Sequence, residues 1–185
     1  IKMLGDVKPK EYVLITAASS SVGYAAIQLV NREGAIAIAT TRSVAKKEAL
    51  LKAGAAHVIV TETEDLVAEV KRITAGKGAS IVFDAVAGPM MLPLARAAAY
   101  EGKIFIYGAL SLESTTFPLQ LALKRGLSVC GYTMFQVVDD AARFARAKEY
   151  VLAALADGSF KPVIDKVFSY AELRQAQEYM ESNQQ

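Results

Sequence analysis

The sequence predicts an α/β domain: a doubly wound parallel sheet of six strands, with helices on both faces. Three observations predict it. Six short runs rich in aliphatic and β-branched residues are apolar on both faces, as strands covered on both sides must be. Amphipathic helical runs alternate with them, so right-handed crossovers between parallel strands give the simplest topology. The first strand also enters its helix through a turn of very small residues, ITAASSSVGYAAIQLV at 15–30.

The strands are expected at residues 12–16 (YVLIT), 35–40 (AIAIAT), 57–61 (HVIVT), 81–85 (IVFDA), 103–107 (KIFIY) and 127–132 (LSVCGY). Between the first two, Val22, Ala25, Ala26, Leu29 and Val30 recur at helical spacing and mark one buried face. Gly34 ends that helix. Ser43 caps a second helix that stops at Ala53, before Gly54. Thr61 with Glu64 reads as a capping box for a third. Pro89 suits the first turn of a fourth, with Pro93 close behind, and Pro118 opens a short fifth. A long helix follows over 139–156. After Gly158, SFKPVIDKVFSY holds one more extended segment, and 171–182 a last helix. No repeat, linker or low-complexity tract interrupts the pattern, so the whole of 1–185 reads as one domain.

Composition narrows the function. With 185 residues, 53% hydrophobic and 22% charged, the chain has enough apolar content for one good core. Lys and Arg total 21 against 19 acidic residues, and no basic run tracks one face, so nucleic acid is not an expected partner. The apolar runs fall far short of the roughly 20 residues that cross a bilayer, so no membrane partner is expected. The single cysteine, Cys130, excludes an internal disulfide and fits a reducing, cytoplasmic setting. The chain opens at Ile1 without a methionine and stops at YMESNQQ, so it is expected to be part of a longer protein.

The turn after the first strand carries the chemistry. A strand feeding directly into a helix aims the helix's free N–H groups beyond the strand end, where they and the helix dipole favour a phosphate. Small residues let the backbone approach such an anion. Ala17, Ala18, Ser19, Ser20 and Ser21 meet that need, and Gly23 lets the helix lie close to the strand. A tight strand–helix turn with no ligand would use the same residues, so the second strand has to decide. About 20 residues past the turn, an NAD site places an acidic residue on the ribose hydroxyl. Here the strand ends ATTRSVAKK, with Thr40, Arg42, Ser43 and Lys46 and no carboxylate. Charge-assisted hydrogen bonds contribute about 1.5–3 kcal/mol each. Two of them from Arg42 and Lys46 to a 2′-phosphate would favour NADP over NAD, while Lys47 reads as a solvated helix face.

With these residues in view, the chain resembles the medium-chain dehydrogenase/reductase superfamily, and within it the zinc-independent quinone and enone reductases. VKPKEYVLITAASSSVGYAAIQLV is similar to that branch's V-x-P-G-E-x-V-L-I-x-x-A-x-x-x-V-G-x-x-A-I-Q-L. ALLKAGAAHVIV, KGASIVFDAVAGPMM and GKIFIYGAL resemble three further runs of the branch, at the expected spacing. Three departures stand out. Lys10 replaces a turn glycine, Ser20 and Ser21 replace a glycine pair, and Ala87 replaces the first glycine after Val86.

The resemblance implies a Rossmann fold that binds NADP(H). Ser20, Ser21 and Val22 match the pyrophosphate turn; Thr40, Arg42, Ser43 and Lys46 match the adenosine and 2′-phosphate pocket. Val86 matches the wall beside the nicotinamide, and Gly108, Ala109 and Leu110 the backbone edge that meets its amide. Tyr132 is a weaker lining candidate. Asp84 could touch cofactor or cap the following loop, and is left out of the site. The implied reaction is hydride transfer from NADPH to a quinone or an α,β-unsaturated carbonyl, with that small molecule as substrate. The catalytic domain flanks this one in the superfamily, so the isolated chain is expected to bind cofactor without turnover, and its catalytic residues are unknown. A single His57 and a single Cys130, far apart in sequence, do not suggest a metal site. The resemblance also implies a homodimer formed through the sixth strand, between Leu127 and Thr133.

Other readings meet specific obstacles. A short-chain dehydrogenase needs a Tyr-x-x-x-Lys pair, and none of the eight tyrosines has a lysine four residues on. A methyltransferase expects an acidic residue where Arg42 stands. A non-catalytic NADPH-binding or structural protein of the same fold remains the open alternative.

Overall fold

The computed structural model describes residues 2–182. A short helix α1 (Lys2–Gly5) leads to β1 (Tyr12–Ile15), and α2 (Ser21–Arg32), β2 (Ile36–Thr41), α3 (Lys47–Lys52) and β3 (His57–Val60) follow. Next come α4 (Leu66–Ile73), β4 (Ala79–Asp84), α5 (Met91–Ala97) and β5 (Ala98–Ile106). After α6 (Leu119–Arg125) and β6 (Ser128–Gly131) the chain is helical in α7 (Phe135–Val138), α8 (Ala141–Ala156) and α9 (Leu173–Glu181). The strands form one sheet in the order β3-β2-β1-β4-β5-β6, and every pairing is parallel. The chain therefore reverses its direction of winding between β1 and β4, where doubly wound sheets open a ligand crevice.

Alternation along the strands sends side chains to two cores. Val13, Ile15, Ala37, Ala39, Ile81 and Phe83 face α2, through Ala26, Ile27 and Val30, together with Leu50 of α3. Leu14, Ile38, Ile59, Val82 and Ile104 face Leu66 and Val70 of α4 and Met91 and Leu94 of α5. Each fully buried aliphatic side chain stabilises the fold by about 1.5–3 kcal/mol. Gly23 sets how close α2 comes to β1: a Cβ there would stand 2.3 Å from the Ala18 carbonyl oxygen.

Some local expectations change. β5 begins at Ala98, which pairs with Ala79 before a register shift to Ile81 and Lys103. The third long helix, α4, is capped by Asp65, whose Oδ1 accepts the Ala68 N–H at 2.7 Å, so the proposed Thr61/Glu64 box does not form. Thr61 Oγ1 instead donates to the Thr41 carbonyl at 3.3 Å, and the Glu64 carboxylate folds back onto the Val60 N–H. Residues 160–169 form no strand. At Lys161 the backbone is held by Gln28, which donates to its carbonyl at 2.9 Å and accepts its N–H at 2.7 Å. The last residues of the expected YMESNQQ terminus, 183–185, lie outside the described residues.

A polar seam ties α8 to α2. Arg32 pairs with Asp157 at 2.5 Å, and the Tyr150 hydroxyl donates to Glu33 at 2.6 Å. No helix among the described residues is long and apolar enough to cross a membrane.

Candidate functional site

A groove of about 620 Å³ runs along the carboxyl ends of the strands. That size suits a small-molecule or cofactor site. Thr16, Ala17, Ser19 and Ser20 enter it from beyond β1, Thr40, Thr41, Arg42, Ser43 and Lys46 from the end of β2, and Thr61 from β3. Val86 and Met90 after β4, with Leu110 and Ser111 after β5, close the other side. Its charged lining residues are Arg42 and Lys46, and no carboxylate joins them.

The turn is built as the small residues require. Ala17 takes a left-handed backbone, φ +45°, and Ala18 is fully buried with its N–H on the Thr40 carbonyl at 3.0 Å. This bond fastens the turn to β2. Ser20 is the N-cap of α2, its Oγ accepting the Gly23 N–H at 3.1 Å. The first N–H groups of the helix, at Ser21 and Val22, have no intrahelical acceptor, since none precedes them by four residues. These donors and the positive end of a helix of 12 residues face the same region.

On the β2 side, Ser43 Oγ accepts the Ala45 N–H at 3.2 Å and so starts the following helical turn. Arg42 is exposed and makes no ion pair among the described residues. Lys46 is half-buried beside it. Lys47, read as solvated, is half-buried and reaches Glu64 at 3.6 Å.

Asp84 is the buried anchor of the groove floor. Its carboxylate accepts from Thr16 Oγ1 at 2.6 Å, from the Val86 N–H at 3.0 Å and from the Ala87 N–H at 2.9 Å. It caps the loop and does not line the groove, which accounts for a fully buried charge through three hydrogen bonds. Ala87, held by one of them, has φ +57° and ψ −145°, a conformation suited to glycine. Leu110 and Ser111 donate their N–H groups to the carbonyls of Ala85 and Val86, at 3.0 and 2.9 Å, and stitch the two loops together. Next to them Tyr107 stacks on Phe83, ring centroids 4.0 Å apart. Burial, reinforced by the Asp84 charge, raises the Tyr107 hydroxyl pKa to about 12.

Of the residues expected from the sequence, Ser20, Thr40, Arg42, Ser43, Lys46, Val86 and Leu110 meet in this groove. Ser21 and Val22 lie on the exposed start of α2 beside it. Gly108 acts as a spacer: a Cβ there would stand 2.9 Å from the Ala85 carbonyl oxygen. Ala109 is exposed next to it, and Tyr132 sits past the edge strand, bonded through its N–H to Ile106 at 2.8 Å. Neither lines the groove. Thr16, Thr41 and Thr61 were missed as site residues because a threonine closing a strand looks like any other β-branched strand residue. Met90 and Ser111 lie in loops, where no periodicity marks them.

The donor set does not fit a zinc ion. His57 lies on β3 and Cys130 on β6, the two opposite edges of the sheet. Among the described residues no group of three His, Cys, Asp or Glu side chains could hold a metal. A dinucleotide fits better. Small turn residues Ala17, Ser19 and Ser20, the N-cap of α2, and the basic end of β2 line the same groove, and Gly23 lets α2 lie close against the turn beside it.

The family model for zinc-binding dehydrogenases matches residues 21–178. A rat synaptic vesicle membrane protein VAT-1 homolog is 28% identical over 96% of this chain and 48% of its own length. A 2-haloacrylate reductase from a Burkholderia species is 25% identical over 96% of this chain and 54% of its own. Among solved structures, the Escherichia coli quinone oxidoreductase complexed with NADPH superposes with a TM-score of 0.82 at 26% identity, over 97% of this chain and 56% of that one. The chain thus spans about half the length of the curated relatives it matches. It belongs to the zinc-binding dehydrogenase family, and its resemblance to the zinc-independent quinone and enone reductases of the medium-chain superfamily extends over the whole sheet.

Proposed function

We propose that this chain is the NADP(H)-binding domain of an oxidoreductase that moves hydride from NADPH to a quinone or an α,β-unsaturated carbonyl. One observation carries the reading: the strand-end groove has Arg42 and Lys46 as its charged lining and no carboxylate for a ribose diol. The similar Escherichia coli enzyme is a quinone oxidoreductase complexed with NADPH, which supports the same cofactor here.

In this reading Ser20, Ser21 and Val22 present hydroxyl and N–H donors to the pyrophosphate, and Thr40, Arg42, Ser43 and Lys46 hold the adenosine 2′-phosphate. Val86 and Leu110 position the nicotinamide, with Gly108 keeping their loop against Ala85, Ala109 exposed beside the groove and Tyr132 beyond it. The bound cofactor supplies hydride; the groove supplies orientation and an environment closed to water on its strand side. Substrate pocket and proton donor belong to the remainder of a longer protein, so 1–185 binds cofactor without turnover. The exposed edge β6 pairs with its copy in a second protomer.

Calorimetric titration with NADPH and with NADH tests the cofactor assignment. NADPH should bind more tightly by at least about tenfold, the equivalent of one charge-assisted contact. Arg42→Ala should erase that preference and Arg42→Glu should turn it toward NADH. Equal affinities in the unsubstituted chain would overturn the 2′-phosphate pocket. For the dimer, Gly131→Pro removes an N–H from the open edge, because the neighbouring Tyr132 N–H already bonds inward. A dimer peak in size exclusion that survives this change would rule out pairing through β6.

A further inference from the structure

A second cavity, of about 210 Å³, lies at the opposite end of the sheet and is lined by Lys71, Gly76, Lys77, Gly78, Arg96, Ala98, Tyr100 and Arg125. Ala79 and Ala98 open β4 and β5 there, so it sits at the amino ends of the strands, across the fold from the groove. We propose that this cavity is a binding site for a diphosphate group, independent of the cofactor groove.

Four cations converge on it with no carboxylate in the lining, and none of the four makes an ion pair among the described residues. In the sequence they are scattered over α4, the next loop, α5 and α6, so no basic run announces them. The simplest structural account is that they neutralise helix dipoles, since Lys71, Arg96 and Arg125 stand in the last turns of α4, α5 and α6. Magnitudes decide against it as the full account. Each helix end offers about half a negative charge, less for helices this short, and four full positive charges exceed three such ends by more than two.

The geometry suits an anion. Arg125 is anchored, donating to the carbonyls of Arg96 at 2.9 Å and Ala98 at 2.6 Å, which fixes one wall. The rim between α4 and β4 is a strained turn in which Ala75, Gly76 and Gly78 all have positive φ. A Cβ at Gly78 would stand 2.7 Å from the Ala98 carbonyl oxygen, so the floor is closed by backbone contact. A Cβ at Gly76 would meet nothing within 4 Å, so the mouth is open. At about 210 Å³ the cavity is about a third the size of the 620 Å³ groove, room for a diphosphate and too little for a dinucleotide. Tyr100, 72% exposed at the rim, offers a ring on which a nucleobase could stack if the diphosphate comes from a nucleotide.

Amide NMR of the full chain, titrated in parallel with pyrophosphate and with ADP at one fixed salt concentration, tests this. Saturable shifts are expected at the amides of Gly76, Lys77 and Gly78 with at least one ligand. Lys77→Gln/Arg96→Gln should weaken those shifts by at least about tenfold, whereas Arg42→Ala in the distant groove should leave them unchanged. Tighter binding of ADP, lost in Tyr100→Ala, identifies a nucleotide as the source; equal or tighter pyrophosphate identifies the free anion. Absence of shifts at 76–78 with both ligands overturns the site. So does an equal loss in Lys10→Gln/Lys148→Gln, which removes the same charge elsewhere and would reveal bulk attraction only.

Discussion

Thr16 Oγ1 donates to the buried Asp84 carboxylate at 2.6 Å while its oxygen accepts the Ala85 N–H at 2.9 Å. One hydroxyl therefore ties the end of β1 to the end of β4, across the point where the sheet reverses its winding. Thr16→Val keeps the shape and removes the hydroxyl, leaving a buried N–H without a partner and a buried charge with one fewer. A loss of about 1–3 kcal/mol is expected, read from urea denaturation, with Thr16→Ser recovering most of it. An unchanged midpoint in Thr16→Val would mean that the two strands do not depend on this clasp.

Gly23→Ala probes the contact between α2 and the turn. The added methyl would stand 2.3 Å from the Ala18 carbonyl oxygen and 2.5 Å from its Cα, both backbone atoms that cannot rotate away. Overpacking of this kind costs about 1–3 kcal/mol. The helix can relieve it only by moving off the turn, so NADPH affinity should fall together with thermal stability. Loss of stability with unaltered affinity would separate the turn from the cofactor.

Lys10 and Ala87 are non-glycine residues at φ +69° and +57°, at two positions where the resembling reductases carry glycine. A left-handed backbone costs a residue with a Cβ roughly 1–2 kcal/mol. Lys10→Gly should therefore raise stability by about 1 kcal/mol, since its exposed side chain gives up little packing. Ala87→Gly relieves strain of about 1–3 kcal/mol at ψ −145° and loses a buried methyl worth about 0.8 kcal/mol, so its gain should be comparable. Paired thermal melts decide this, and destabilisation by Lys10→Gly would contradict it.

Asp157 ties α8 to α2 and carries a pH signature. Hydrogen bonds from Ser159, then from Arg32, lower its carboxyl pKa from 3.8 to about 2. A depressed folded-state pKa gives stability that is fully present above the unfolded value near 3.8 and is lost as pH falls through about 2. Asp157→Asn should accordingly melt lower than the parent at pH 5 to 7, with the gap closing between about pH 4 and 2. A gap that is constant with pH would place the effect in packing.

Much of this was legible in the sequence because the strands carry two-sided apolar runs and the helices a clear period. The turn at Ser20 and Gly23 could be read because its chemistry demands small residues in one short stretch. Other features depended on distant partners. Nothing in AAYEGK marks Ala98 as strand, since its pairing with Ala79 exists only once β4 lies beside it. The Thr61/Glu64 pattern satisfied a capping rule that Asp65 satisfies better one residue before the helix. Thr16, Thr41 and Thr61 became groove residues only when parallel register brought three strand ends level. The Lys71, Lys77, Arg96 and Arg125 cluster comes from four separate elements, and no local pattern could reveal it.

Burial is distributed unevenly along the chain, and this has a kinetic consequence. Past Phe105 the only buried apolar side chains among the described residues are Pro118 and Ala154, while α8 is tied to α2 by Arg32–Asp157 and Tyr150–Glu33, and α9 bonds through Tyr179 to Asp165. Amide hydrogens of β1, β2 and β4 should therefore exchange only when the whole domain opens. Those of α8 and α9 should exchange through smaller, more frequent openings that leave the sheet intact. The chain would then have two clocks: a slow one in the central strands and a fast one in its C-terminal helices.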